Sequence, residues 1–193
     1  FTDHVARTLF CWRRAALAAV ALGVTAAGPV WAQAPYLVRD INPPALSSES
    51  SFPGRMLAIG SQLFFKACVG VPAAPSYGRD CNLWRSDGTS TGTYRIADIN
   101  PGNPPEDLGD ADIQELTDVN GMLFFSASSP DNELYRSDGT TAGTVRVMDI
   151  NPFASSRPEQ LTDVNGTLFF SADGGSNGRE LWRSDGTVSG GAH

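Results

Sequence analysis

The heptapeptide Leu-Trp-Arg-Ser-Asp-Gly-Thr stands at residues 83–89 and returns unchanged at residues 181–187. Residues 134–140 carry it with Tyr in place of Trp. The copies begin 134−83 = 51 and 181−134 = 47 residues apart. A regular period of this length is typical of proteins that stack one supersecondary unit several times. The motif therefore predicts a repeat architecture.

Further repeated blocks lie around this heptapeptide in a constant order. They are Leu-Phe-Phe at 63–65, 123–125 and 168–170, Asp-Ile-Asn-Pro at 40–43, 98–101 and 149–152, and Leu-Thr-Asp-Val-Asn-Gly at 116–121 and 161–166. The Asn-Gly pair favours a tight hairpin, since both residues tolerate positive φ. The alternating or continuous apolar runs on either side of the turns are typical of strands. Each unit thus predicts four short antiparallel strands.

Four such strands in roughly 45–50 residues match the size of a β-propeller blade. The predicted fold is all-β, with units at about 52–101, 110–152 and a partial unit at 160–187. A lone strand at 36–42 precedes them and matches the last strand of a unit in register. Beginning on a last strand and stopping after a third strand is how a propeller closes its ring. Because propellers need about four to eight blades, we expect an incomplete ring, further repeats after residue 193, and an exposed sheet edge.

Residues 1–32 have the layout of a cleaved signal peptide. Arg13 and Arg14 precede an Ala-rich apolar run at 15–27, and Val-Trp-Ala follows at 30–32. The apolar run has about 13 residues, which is shorter than the roughly 20 needed to span a bilayer. We therefore expect cleavage after Ala32 and a secreted, periplasmic or cell-surface protein at 33–193, with no stable membrane span after cleavage.

The heptapeptide and its flanks resemble the bacterial ELWxxDGT repeat family. The resemblance rests on Glu-Leu-Trp-Arg-Ser-Asp-Gly-Thr at 180–187 and on Thr-Ser-Thr-Gly-Thr at 89–93, and it covers about 36–187. It implies an exported or surface-associated propeller-like repeat protein with no general biochemical activity. The first unit departs from the pattern with Asn82 in place of Glu, the second with Tyr135, and the third lacks the Gly-Thr step at 188–191.

Charge and histidine content exclude two classes of function. The formal net charge is −7, whereas nucleic-acid binding needs a basic face. The only histidines are His4 and His193, so the repeats carry no imidazole base for a Ser or Cys nucleophile and no His metal ligand. We predict no catalytic residue, no bound cofactor and no metal, and hence a protein that is not an enzyme.

The repeated aspartates allow two interpretations. Loop carboxylates can bind calcium, which needs about six to eight oxygen ligands, and residues 173–180 are the nearest approach to such a loop. Alternatively, each Asp bonds nearby backbone N–H groups in its own turn. We favour the structural interpretation, and for the repeated aromatics we favour core packing over a ligand platform. The predicted structural residues are Trp84, Asp87, Gly88, Tyr135, Asp138, Gly139, Trp182, Asp185 and Gly186.

Cys68 and Cys81 are the only cysteines after the signal sequence. They flank the loop between the second and third strands of the first unit, so they are expected to face each other. In an oxidising compartment we predict that they form a disulfide, with two free thiols as the alternative.

These observations favour a non-enzymatic scaffold or binding surface for a protein or glycan. The expected contact loops are residues 69–80 and 101–110. The alternative is a structural spacer attached to a functional domain outside this chain.

Overall fold

The computed structural model describes residues 34–42, 50–70, 79–99, 111–128 and 131–187. These residues contain strands and no helix, and so no helix among them could cross a membrane. The strands are β1 (Gly54–Ile59), β2 (Gln62–Gly70), β3 (Arg79–Ser86), β4 (Tyr94–Ala97), β5 (Gln114–Val119), β6 (Met122–Ser128), β7 (Asn132–Ser137), β8 (Val145–Met148), β9 (Glu159–Val164), β10 (Thr167–Asp173) and β11 (Arg179–Ser184).

The strands form three antiparallel sheets in chain order. The first sheet is β1-β2-β3-β4, the second is β5-β6-β7-β8, and the third is β9-β10-β11. The prediction of an all-β chain built from antiparallel four-stranded units is therefore confirmed for the first two sheets, and the third shows three described strands. The predicted Asn-Gly turn joins β5 to β6, with φ of 53° at Asn120 and 84° at Gly121.

The paired phenylalanines send one ring to each face of a sheet, because successive side chains of a strand point in opposite directions. Phe64 packs with Phe125 and Tyr135 of the second sheet. Phe124 likewise packs with Phe170 and Trp182 of the third sheet. We call the side of a sheet that meets the following sheet its forward face and the opposite side its rear face. The core of this protein is thus a series of interfaces between sheets.

A β-bulge near the start of the first strand recurs in every sheet. The register shifts within β1, β5 and β9. The bulged residues Arg55, Glu115 and Gln160 have φ of 50°, 57° and 59°, a region that non-glycine residues rarely enter. Bulges twist and bend a strand locally. The sequence carries no glycine at these positions, so nothing in it indicated the bulge.

The disulfide prediction is confirmed, since Cys68 and Cys81 are bonded at a sequence separation of 13. They are directly opposite each other in the β2–β3 ladder. In the second sheet, Ser128 and Asn132 take the corresponding places and Asn132 Nδ2 donates to Ser128 Oγ at 3.3 Å. The disulfide therefore occurs in the unit with the longest connection between its second and third strands. Restricting the unfolded chain there stabilises the fold by about 3 kcal/mol.

Two predicted segments differ from the structure or lie partly outside it. Residues 36–42 form no strand, because a strand needs a hydrogen-bonded neighbour and none of the described strands pairs with them. The predicted loop at 69–80 is shorter than expected, as β2 continues through Gly70 and β3 starts at Arg79. Residues 71–78, the predicted contact loop at 101–110 and the predicted signal sequence at 1–32 lie outside the described residues.

Candidate functional site

The three Ser-Asp-Gly-Thr turns use their aspartates internally. Asp87 Oδ1 accepts hydrogen bonds from the Thr89 backbone N–H at 2.9 Å and from its hydroxyl at 2.7 Å. The same pair of bonds joins Asp138 to Thr140 at 2.8 and 2.7 Å. Asp185 accepts them from Thr187 at 2.9 and 2.8 Å. All three carboxylates are therefore occupied in forming their own turns.

These hydrogen bonds also set the acidity of the turn carboxylates. The Thr hydroxyl and then the Thr N–H lower the pKa of Asp87 and of Asp138. For Asp185, the N–H of Thr187 and then its hydroxyl lower the pKa in the same way. The cause is that a hydrogen bond donated to a carboxylate favours its charged form. The aspartates thus stay ionised as acceptors within the turn.

A glycine five residues after the aspartate makes room for each of the first two turns. A Cβ atom at Gly92 would lie 2.0 Å from Asp87 Oδ1, and one at Gly143 would lie 2.0 Å from Asp138 Oδ1. Such distances are impossible for non-bonded atoms, so any other residue would displace the carboxylate. The Gly in the downstream Thr-x-x-Gly-Thr segment is therefore required by the turn itself.

The turn glycines link neighbouring sheets. Gly88, Gly139 and Gly186 have φ of 87°, 89° and 83°, which only glycine adopts without strain. The Gly139 carbonyl accepts a hydrogen bond from Arg85 Nη1 at 3.1 Å, and the Gly186 carbonyl accepts one from Arg136 Nη1. The Arg of the first and of the second heptapeptide thus bonds the turn of the following unit.

The repeated aromatics are buried on the rear faces of their sheets. Trp84, Tyr135 and Trp182 are 6%, 8% and 3% exposed. Tyr135 stacks on Phe125 with ring centroids 5.6 Å apart, and Trp182 Nε1 donates to the Ala172 carbonyl at 3.1 Å. A platform for sugars needs an exposed ring, so this arrangement favours the packing interpretation.

The residue directly before the heptapeptide has a structural function that the sequence did not indicate. Glu133 is fully buried. Its carboxylate accepts hydrogen bonds from the Ile150 N–H at 3.1 Å and from the N–H and hydroxyl of Ser156 at 3.0 and 2.6 Å. Burial raises the pKa of Glu133, and these donors oppose the rise. In the first unit Asn82 replaces it and accepts from the Ile99 N–H at 2.9 Å.

The suspected calcium loop is closed by its own backbone. Asp173 Oδ1 accepts a hydrogen bond from the Gly175 N–H at 2.8 Å, and the Gly174 N–H donates to the Gly178 carbonyl at 3.1 Å. Asp98 and Asp149, which follow the fourth strands, lie 3.6 Å from Arg95 and Arg146, and Asp40 accepts from the Asn42 N–H at 3.2 Å. Among the described residues, no three His, Cys, Asp or Glu side chains are grouped as metal ligands.

A polar cleft of about 310 Å³ opens where the second and third sheets meet. It is lined by the bulged start of β5, by side chains of β6 and β7, and by the residues that lead into β9. Its charged lining residues are Asp112, Glu115, Arg157 and Glu159. Asp112 and Arg157 have φ of 39° and 47°, and residues held in such conformations are concentrated at binding sites. The cleft is the candidate site.

The cleft spans two units that bond each other through their bulges. Glu115 Oε2 accepts hydrogen bonds from the N–H groups of Gln160 and Leu161 at 2.7 and 3.3 Å. Arg55 Nη2 donates to Gln114 Oε1 at 3.4 Å in the preceding pair of sheets. The bulge thus exposes backbone donors that the preceding unit can occupy, which holds the cleft walls in place.

The chain matches no protein family, no curated protein and no solved structure.

Proposed function

We propose that this chain is a non-enzymatic, exported repeat protein whose sheets are propeller-like blades. The starts of the first strands of these sheets, β1, β5 and β9, form a binding surface. The observation that carries the proposal is a division between constant and variable positions. The heptapeptide residues are nearly constant, and they form the turns and the arginine–glycine hydrogen bonds between sheets. Three positions of the cleft, in contrast, carry a different residue in each of the three units. The equivalent residues are Phe52, Asp112 and Arg157 at the first position, Gly54, Gln114 and Glu159 at the second, and Arg55, Glu115 and Gln160 at the third.

The blade arrangement is supported by the contacts between first strands. β1 lies against β5, and β5 lies against β9. In a propeller, the first strands of successive blades surround the central channel. Repeat proteins use the surface lined by equivalent positions of successive units for binding. The variable cleft positions are located at the starts of these first strands or two residues before them.

The cleft favours a hydrophilic ligand with hydroxyl and amine groups. Three carboxylates and one guanidinium line it, together with the side chains of Ser126, Ser128 and Asn132. Carboxylates accept hydrogen bonds from hydroxyl groups and attract ammonium groups. Its volume is at the lower end of ligand pockets, about 300–1,000 Å³. A glycan chain fits this chemistry better than an apolar compound does.

Calorimetric titration with short oligosaccharides of glucosamine and of N-acetylglucosamine tests this proposal. The variant Asp112→Ala with Glu159→Ala removes two cleft carboxylates, and we expect at least about tenfold weaker binding, which corresponds to 1.4 kcal/mol. The matched control, Asp98→Ala with Asp149→Ala, removes two exposed carboxylates outside the cleft lining and should bind as the wild type does. Failure of the wild type to bind either sugar, or equal losses in both variants, would refute the glycan site and favour the spacer alternative.

Export is tested separately by recovering the protein after expression in a bacterium with a periplasm. We expect an N-terminus at Gln33, because cleavage after Ala32 follows the small-residue pattern of a signal peptide. Recovery of uncleaved protein from the cytosol would contradict export and would leave the binding test unaffected.

A further inference from the structure

Residues 36–42 occupy the place that the fourth strand of a preceding unit would take. Ile41 packs against Phe65, Ala67 and Trp84 on the rear face of the first sheet. Ile99 packs in the same way on the rear face of the second sheet, and Ile150 on that of the third. All three isoleucines belong to the Asp-Ile-Asn block, which comes directly after the fourth strand in a complete unit. The segment at 36–42 thus takes the position of a fourth strand, although it forms no strand itself.

Polar contacts hold this segment in the same position. The Tyr36 hydroxyl donates to the Gly88 carbonyl at 3.3 Å, the same group that accepts from arginine in the two later turns. Arg39 Nη1 donates to the Thr93 carbonyl, and Asn42 Oδ1 accepts from the Gly70 N–H at 3.0 Å. No backbone hydrogen bond joins residues 36–42 to another described segment. The segment is therefore docked by side chains, and its own backbone ladder is not used.

The third sheet has the complementary vacancy. β3 and β7 each pair with a fourth strand, whereas no described strand pairs with the outer edge of β11. The forward face of this sheet is also left uncovered by the described residues. Leu181 is 73% exposed, although the equivalent Leu83 and Leu134 are 0% and 1% exposed. Unpaired strand edges are templates for strand addition, and here an apolar face lies beside the edge.

We infer that β11 of one copy pairs with residues 36–42 of a second copy, so that copies join head to tail. The joint would repeat the two interfaces already present within the chain. The registers of β3 with β4 and of β7 with β8 set Leu181 opposite Arg39 and Arg183 opposite Tyr36. Leu181 would then pack toward Trp84 of the second copy, as Leu134 packs with Trp182.

When two copies are joined once, one copy still has an unpaired segment at 36–42 and the other still has an unpaired β11 edge. Such heterologous joints give closed rings or open filaments. We therefore expect self-association that increases with protein concentration. This inference is independent of the ligand proposed for the cleft.

Sedimentation velocity of the full chain over a range of concentrations tests the joint with two matched substitutions. Leu181→Arg places a charge on the forward face and should raise the dissociation constant of the joint at least about tenfold, or 1.4 kcal/mol. Leu37→Arg changes a leucine that is 79% exposed and aligns with Arg95 and Arg146, which stay exposed in complete sheets. It should leave the self-association unchanged.

A cross-linking experiment tests the register. Tyr36→Cys in one population and Arg183→Cys in another should form a mixed disulfide dimer when combined, and each variant alone should form markedly less. A wild type that is monomeric at all concentrations would overturn the inference. Equal weakening by Leu181→Arg and Leu37→Arg would also overturn it, since that would indicate nonspecific apolar association.

Discussion

The second and third sheets carry almost the same heptapeptide in different surroundings. Leu134 in the second sheet is 1% exposed, and Leu181 at the same motif position in the third sheet is 73% exposed. Glu133 is fully buried, whereas Glu180 is exposed. Aromatic burial, in contrast, is the same, with Tyr135 and Trp182 both under 10% exposed. The motif therefore contains one residue that packs backward and several whose burial depends on the next unit along the chain.

This difference separates the motif into local and interfacial parts. The Asp-Gly-Thr turn forms in both sheets with nearly identical distances. The Leu, Glu and Arg positions find their partners only where a fourth strand and a following sheet are present. Paired substitutions at equivalent positions can test this separation, because each pair changes the same side chain in the same strand.

The largest difference in the free energy of unfolding is expected between Leu134→Ala and Leu181→Ala. Leu134 is enclosed in the interface between the second and third sheets, and truncating a buried leucine destabilises by about 2–5 kcal/mol. Leu181→Ala should cost within about 0.5 kcal/mol, as surface substitutions do. Urea unfolding at a concentration where the chain is monomeric measures both free energies of unfolding. Equal losses would mean that Leu181 is buried in the monomer.

The next difference is expected at the glutamates. Glu133→Ala leaves the N–H groups of Ile150 and Ser156 without their acceptor, at a cost of about 1–3 kcal/mol for each buried group. Glu180→Ala should leave the free energy of unfolding almost unchanged, because its exposed side chain bonds no buried donor in the described residues. Unfolding of both variants in urea is the measurement. A large loss for Glu180→Ala would contradict the comparison.

Glu133 also predicts a pH dependence of stability. Burial raises its pKa, so the folded state binds a proton more tightly than the unfolded state does. Stability from this group is present below the ordinary pKa of a glutamate, about 4.3, and is lost as pH rises from there through the raised value. Glu133→Gln should remove this decline. A difference between wild type and variant that is constant with pH would contradict the assignment.

Much of this architecture was accessible from the sequence because it repeats. The four blocks predicted the hairpins, the antiparallel sheets and the pairing of Cys68 with Cys81. The features that the sequence did not indicate are a backbone bulge that no shared residue type marks and a cleft between units. Arg55, Glu115 and Gln160 share no residue type, yet all adopt the same bulge. The cleft at Asp112 and Arg157 lies between two repeats, so inspection of a single repeat could not reveal it.

A smaller effect is expected for Gly143→Ala, which tests the local part of the motif. The added methyl group would overlap Asp138 Oδ1 and force the carboxylate away from Thr140, at a cost of about 1 kcal/mol. Combining it with Asp138→Ala should relieve most of that cost, because the overlapping group is gone. Thermal unfolding of the two single variants and the double variant completes the cycle. Additive losses would show that the glycine does not act through the aspartate.

The smallest difference is expected for Arg136→Ala against Arg183→Ala. Arg136 donates to the Gly186 carbonyl of the following unit, and one such hydrogen bond contributes about 0.5–1.5 kcal/mol. Arg183 is exposed, so its removal should leave the monomer unchanged. If copies join as inferred, Arg183→Ala should weaken the assembled form, since Arg183 would then reach the Gly88 carbonyl of the second copy. Unfolding at low and high protein concentration distinguishes the cases. If Arg183→Ala already destabilises the chain at low protein concentration, Arg183 makes a contact within its own chain. The expected difference between the two arginines would then be wrong.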